Sequence, residues 1–218
     1  MEAGLNRAEG VLFLSRCRGE TRAGRREDGL RRGRAPRVCE DREMSFELQP
    51  TLRGNLLELR PLREDDWDAL YAAASDPLIW ELHPSSDRYK PEVFREYFRG
   101  GMESGGAFVV IDRSDGKIIG SSRYNGYDAE RSEIEIGWTF LARSHWGGRF
   151  NGEMKQLMVQ HALLFVDRVV FHIGPQNWRS QKAIEKLGGI PAGTWTDPKT
   201  GHESVVYEMR TAPEGVFA

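Results

Sequence analysis

The sequence predicts a mixed α/β fold, a central sheet of about seven strands with helices on both faces. Two observations predict it. Segments alternating with period two interleave with segments of helical period, in the order β-α-α-β-β-β-α-β-α-β-β. Gly, Pro, Asn and Asp punctuate the joints between them. At 218 residues the chain fits one domain of ordinary size plus an appendage.

Leu56–Arg60 alternates as a first strand, and Pro61 ends it. Glu64–Ala74 reads as a helix, with acids in its first turn and Trp67, Leu70, Tyr71 and Ala74 on one face. Pro91 opens a second helix that runs to Ser104 and stops at Gly105-Gly106. Ala107–Asp112 is a strand, and Ser114-Asp-Gly116 turns the chain into the next, Lys117–Tyr127. Glu133–Phe140 alternates as the fourth strand. Gly152–Val166 is a third helix, with His161 on its buried stripe. Arg168–Ile173 is an apolar, buried strand. Ser180–Leu187 is a short helix ended by Gly188-Gly189. Ile190–Trp195 and Glu203–Met209 close the sheet around the Asp197–Gly201 turn.

Residues 1–43 differ in kind. They hold eleven arginines, no lysine and eight acidic residues, and few apolar groups beyond Val11–Leu14. Such a segment buries too little surface to offset its ordering entropy, so an Arg-rich disordered extension is expected, with the domain over 44–218. The acids weaken both a nucleic-acid arm and an organelle-targeting reading. Across the chain 31 basic groups face 33 acidic ones, which gives no general pull toward nucleic acid or membrane. No run approaches the ~20 apolar residues of a membrane span. Cys17 and Cys39 both lie in the extension, so the domain is no disulfide scaffold and a cytoplasmic enzyme is the default. The five histidines show no ligand spacing, and no metal site is expected. No Walker loop, Rossmann glycine set or Gly-x-Ser-x-Gly elbow is present.

One stretch carries chemistry. EIEIGWTFLARSHWGG (133–148) is a strand that runs into GGRFNGE (147–153), a glycine turn opening a helix. Backbone N–H groups converge at such a helix N-terminus where its dipole is positive, which suits a pyrophosphate. Glu133 and Glu135 alternate onto one strand face, and Ile134, Ile136 and Trp138 onto the other. Two carboxylates facing one way are suited to deprotonating an ammonium group. NWRSQKAIEKLGG (177–189) places an asparagine at a helix start, a serine three residues on, and Gly at its end.

Together with ELRPLREDDWDALYAAASDP (58–77), these stretches resemble the GNAT N-acetyltransferase superfamily, in the branch of the ribosomal-protein alanine N-acetyltransferases. The resemblance spans about Leu52 to Arg210. It implies acetyl-CoA as co-substrate, no metal, and direct transfer of the acetyl group to a primary amine: a protein N-terminus or a small molecule.

It also implies the site. Gly137, Trp138, Thr139 and Phe140 meet the pantetheine and thioester beside a strand bulge. Gly147, Gly148, Arg149, Phe150, Asn151 and Gly152 form the pyrophosphate loop, and Asn177 anchors the pantetheine arm. Glu135 is the general base and Ser180 protonates the leaving thiolate. Trp80, His83, Tyr124 and Trp138 line the acceptor side together with Glu133, and Arg179 and Lys182 are placed to reach the adenosine phosphates. Arg149 and Asn151 stand where the family has Gly and Gly or Ala, and Ile184 where many members carry a tyrosine acid. Those departures leave a non-catalytic acyl-CoA-binding module as the alternative. A homodimer is the expected assembly if there is one.

Overall fold

The computed structural model describes residues 46–213, and the arginine-rich 1–43 lie outside the described residues. Eight strands form one sheet in the order β1-β2-β3-β4-β5-β6-β8-β7. They are β1 (Leu52–Arg53), β2 (Leu57–Pro61), β3 (Ala107–Asp112), β4 (Ile118–Asp128), β5 (Glu133–Leu141), β6 (Arg168–Ile173), β7 (Ile190–Thr196) and β8 (Glu203–Met209). The strand beyond the expected seven is β1, two residues that pair with β2. Only β5 and β6 run parallel, and every other pairing is antiparallel.

Four helices cover the sheet: α1 (Trp67–Ala74), α2 (Pro91–Ser104), α3 (Arg149–Ala162) and α4 (Trp178–Lys186). One face buries Met154, Met158, Val159 and Ala162 of α3 with Ile184 of α4 against Ile134, Ile136 and Phe171. The other buries Leu70 and Ala74 of α1 and Phe94 and Tyr97 of α2 against Val109 and Phe140. The helices therefore lie on both faces, as the sequence pattern requires.

Three helices start elsewhere than expected, and of these α4 opens at Trp178, two residues before the expected Ser180. Glu64–Asp66 forms a 3-10 turn before α1, because Asp66 folds back to accept from the Arg63 N–H at 2.8 Å and pairs with Arg60. At α3 the helix begins one turn early, at Arg149, and ends at Ala162. Glu153 holds that first turn in place. Its buried carboxylate accepts from the N–H groups of Asn55, Leu56 and Leu57 at 2.7, 2.9 and 2.9 Å, and so ties α3 to the start of β2.

Two features of β5 matter for function. Arg123 of β4 stands opposite Gly137 and Ser121 opposite Phe140, so β5 carries an extra residue between them. This bulge puts Trp138 at φ 49°, a left-handed conformation that costs a bulky residue on the order of 1–3 kcal/mol. The bulge also resets the alternation. Ile134 and Ile136 pack under α3, but Trp138 packs on the α1–α2 side. The expectation that Trp138 shares a face with the two isoleucines is thus corrected: plain alternation does not survive an inserted residue. The second feature is a splay. β5 pairs with β6 only from Glu133↔Arg168 to Glu135↔Val170, which leaves Ile136–Leu141 without a strand partner on that side.

Candidate active site

The open edge of β5 lies between three groups of side chains. On the α1–α2 face, alternation brings Arg123 and Asn125 of β4 together with Glu135 of β5, since Asn125 stands opposite Glu135. The Asn125 amide approaches the Glu135 carboxylate at 3.4 Å. Burial pushes the Glu135 carboxyl up to about 7, while the Asn125 amide, Lys155 and Arg123 pull it down in part. A carboxylate poised there can take a proton from an ammonium group near neutral pH.

From the α3 side, Lys155 reaches the bulge. It is 5 % exposed, and its Nζ donates to Thr139 Oγ1 at 2.6 Å, next to Ser122 Oγ at 2.8 Å from the same threonine. Desolvation pushes the Lys155 ammonium down to about 7, with Glu135 opposing that shift. Lys155 was missed in the sequence because it reads as one more solvent-facing charge of a helix. It lies between Thr139 of β5 and the Phe171 ring of β6, 5.4 Å away.

The glycine turn is built as expected. Gly147 adopts φ 68°, a conformation open to glycine, and Gly148 is the extended N-cap of α3 with no side chain capping it. The first N–H groups of α3, at Arg149, Phe150, Asn151 and Gly152, thus form an uncapped helix start. Arg149 is exposed and does not fill the turn, so the residues present fit a pyrophosphate. Phe150 points elsewhere, packing on His145 with ring centroids 4.7 Å apart. Behind the turn, Trp146 Nε1 donates to the Leu141 carbonyl at 2.9 Å, and the Arg179 guanidinium stacks on Trp146 at 4.1 Å. Arg179 also pairs with Glu81 at 2.8 Å. Lys182 is exposed beside Trp178.

Asn177 is the N-cap of α4, and its Oδ1 accepts the Ser180 N–H at 3.2 Å. The cap occupies the side-chain oxygen and leaves the amide NH2 for a ligand. Ser180 is half-buried in the first turn. Ile184 lies inside the core at 3 % exposure.

Of the residues expected on the acceptor side, only Trp138 lines the cavity on the α2 face. A cavity of about 260 Å³ is lined by Arg88, Tyr97, Arg123 and Trp138, with Ser85, Val93, Glu96 and Gly100 around them. Tyr124 is not among them. It alternates to the opposite face from Arg123, is 1 % exposed, and donates its hydroxyl to the Met158 carbonyl at 2.5 Å. Trp80 sits one layer behind the cavity, its Nε1 donating to the Ala74 carbonyl at 2.8 Å. His83 is also behind it, with Nδ1 accepting the Ser85 N–H at 3.0 Å. Burial and the Arg88 charge push the His83 imidazole down to about 3, so it stays neutral. Glu133 is bound by Arg168 and by Arg131 at the far end of β5. The general lesson is one of phase: the sequence placed the right strands, and the helix–strand contacts decide which side chains face the cavity. Among the described residues no cluster of His, Cys, Asp and Glu is able to hold a metal, and no helix is long and apolar enough to cross a membrane.

Comparison with known proteins agrees with this architecture. The model of the acetyltransferase (GNAT) domain matches residues 57–190. The N-acetyltransferase p20 of Bacillus licheniformis is 28 % identical over 154 residues, covering 67 % of this chain and 86 % of that protein. A GNAT-family acetyltransferase from Chromobacterium violaceum superposes with TM-score 0.67 at 19 % identity, over 84 % of this chain and 97 % of its own. RimJ of Mycobacterium smegmatis, solved in complex with CoA-disulfide, gives TM-score 0.58 at 17 % identity, over 74 % of this chain and 86 % of its own. With the splayed β5–β6 pair, the bulge and the uncapped start of α3 in place, this chain belongs to the GNAT acetyltransferase family and is an acetyl-CoA-dependent acyltransferase.

Proposed function

We propose that the protein is an N-acetyltransferase that moves the acetyl group directly to a primary amine, with Glu135 as the general base. The observation that carries this reading is the placement of a buried carboxyl, raised to about 7, beside the stretch of β5 that has no strand partner on its β6 side. Bound acetyl-CoA supplies the acetyl group as a thioester, and the new C–N bond forms as the C–S bond breaks.

The chain's own groups then have separate tasks. Glu135 takes the proton from the ammonium form of the acceptor and frees the nitrogen lone pair. The backbone of Gly137–Phe140 holds the acyl arm along the splay, and its N–H groups favour negative charge on the carbonyl oxygen. The start of α3, from Gly148 to Gly152, holds the pyrophosphate. Asn177 offers its amide NH2 to the pantetheine, and Ser180 supplies a proton to the departing sulfur. Both substrates are held together, so orientation provides much of the rate. No thiol stands among these residues, and no covalent enzyme intermediate is formed.

The test is calorimetry of acetyl-CoA binding followed by an amine screen read by released thiol. Binding with turnover supports the transferase. Tight binding with no turnover on any amine class favours the non-catalytic acyl-CoA module, and absence of binding removes both.

A further inference from the structure

The cavity on the α2 face is lined by two guanidinium groups, Arg123 and Arg88; Arg88 Nη1 contacts His83 Nε2 at 3.1 Å, and the nearest acid to Arg123 on its face is Glu135. Arg123 is 6 % exposed, and its buried Nε has no hydrogen-bond partner among the described residues. One terminal nitrogen donates to the Tyr97 carbonyl at 3.2 Å. Its guanidinium lies 4.8 Å from the Trp138 ring. Arg88 closes the cavity from the loop before α2, 5.2 Å from the Tyr97 ring and 5.6 Å from Trp80. Among the described residues no carboxylate oxygen lies within 4.0 Å of either guanidinium. Glu96, the acid on the rim, is taken up by Arg99.

A guanidinium does not shed its charge when buried, so removing two of them from water is costly unless an anion joins them. The aromatic faces recover only part of that cost. Desolvation accordingly dominates at both groups and disfavours their charged forms. Two guanidinium groups that line one cavity on either side of Tyr97, with no carboxylate on either, are an arrangement for carboxylate or phosphate oxygens. The cavity adjoins the reacting centre. Arg123 stands opposite Gly137, and the neighbouring pair on the same face is Asn125 opposite Glu135.

We propose that the acceptor is a small amine carrying its own carboxylate or phosphate, which Arg88 and Arg123 hold while its nitrogen faces Glu135. This rests on the transferase reading above and narrows its substrate class. A volume of about 260 Å³ has room for a small amine.

The experiment uses the full chain with matched amines: glycine against glycinamide, and O-phosphoethanolamine against ethanolamine. We expect at least one anionic member to exceed its neutral partner by roughly tenfold or more in kcat/KM. Arg88→Gln brings that ratio toward one, and Arg123→Lys lowers it while keeping a buried cation. Equal use of both members, or a ratio that neither variant moves, overturns the proposal. If no amine is acetylated, the transferase reading is what fails, and binding alone decides the anion site. N-acetylglycine and N-acetyl-O-phosphoethanolamine are then titrated against N-acetylglycinamide. Preference for an anionic ligand that Arg88→Gln weakens by about tenfold sustains the site, and equal affinity for all three ends it.

Discussion

The Tyr97 hydroxyl of α2 donates to the backbone carbonyl of Trp138 at 2.5 Å, from a phenol that is only 7 % exposed. Trp138 is the left-handed residue of the β5 bulge. One helix side chain thus holds the strained turn of β5.

Tyr97→Phe keeps the ring and leaves that carbonyl unpaired. Loss of a buried hydrogen bond costs about 1–3 kcal/mol, read as a lower denaturant midpoint. With the bulge released, kcat falls more than acetyl-CoA affinity does, which calorimetry and steady-state rates on the same variant separate.

Glu135 sets the pH dependence of transfer. Its carboxyl is raised to about 7 by burial, and a base works only when deprotonated. Activity with a fixed amine therefore rises with pH through about 7 in the native protein. Glu135→Gln removes that limb and lowers kcat by roughly 100- to 10,000-fold. An unchanged limb in the variant would assign it to another group.

Lys155 and Glu135 set the pH dependence of stability with opposite signs. A lysine lowered to about 7 is harder to keep charged when folded than when unfolded. Its stabilising contribution is present above its ordinary value of 10.5 and is lost as pH falls through about 7. Glu135, raised above its ordinary 4.5, loses its contribution as pH rises through the same region. The pair makes the native fold least favoured near neutrality in this term. Lys155→Met gains most over the native protein below pH 7, and the gain shrinks toward pH 10, as chemical denaturation at several pH values will show.

Asn177 has two tasks that separate experimentally. Asn177→Ala loses an N-cap, worth about 1 kcal/mol of stability, and loses the amide offered to the pantetheine. Asn177→Asp keeps the cap oxygen and removes the NH2 donors. Near-native melting with weakened acetyl-CoA binding in the aspartate variant assigns the amide to the ligand, while native affinity assigns it to the cap alone.

Much of the architecture was legible where the signals are local. Pro91 and Gly105 bound α2, and the turn of Ser114 to Gly116 separates two strands, because proline and glycine act within one or two residues. The same holds for β3 and β6, whose ranges match expectation at both ends. The site was legible as backbone: the glycine turn, the α4 cap and the strand beside the splay. It was less legible as side chains. Tyr124 and Arg123 are neighbours on β4, and only the helices packed on each face decide which one meets the acceptor. The reach of Lys155 is likewise invisible along the chain, since it ends between Thr139 of β5 and the Phe171 ring of β6.

That parting has a consequence for how the protein drifts over time. The free rim of β5 offers main-chain groups, which every amino acid except proline presents alike. Natural selection can therefore exchange most of the side chains around the acyl arm without changing what greets it. Proteins with fewer than three residues in ten in common with this chain can keep its shape. Change is then free to accumulate on the opposite wall, where the proposed anion site of Arg88 and Arg123 lies.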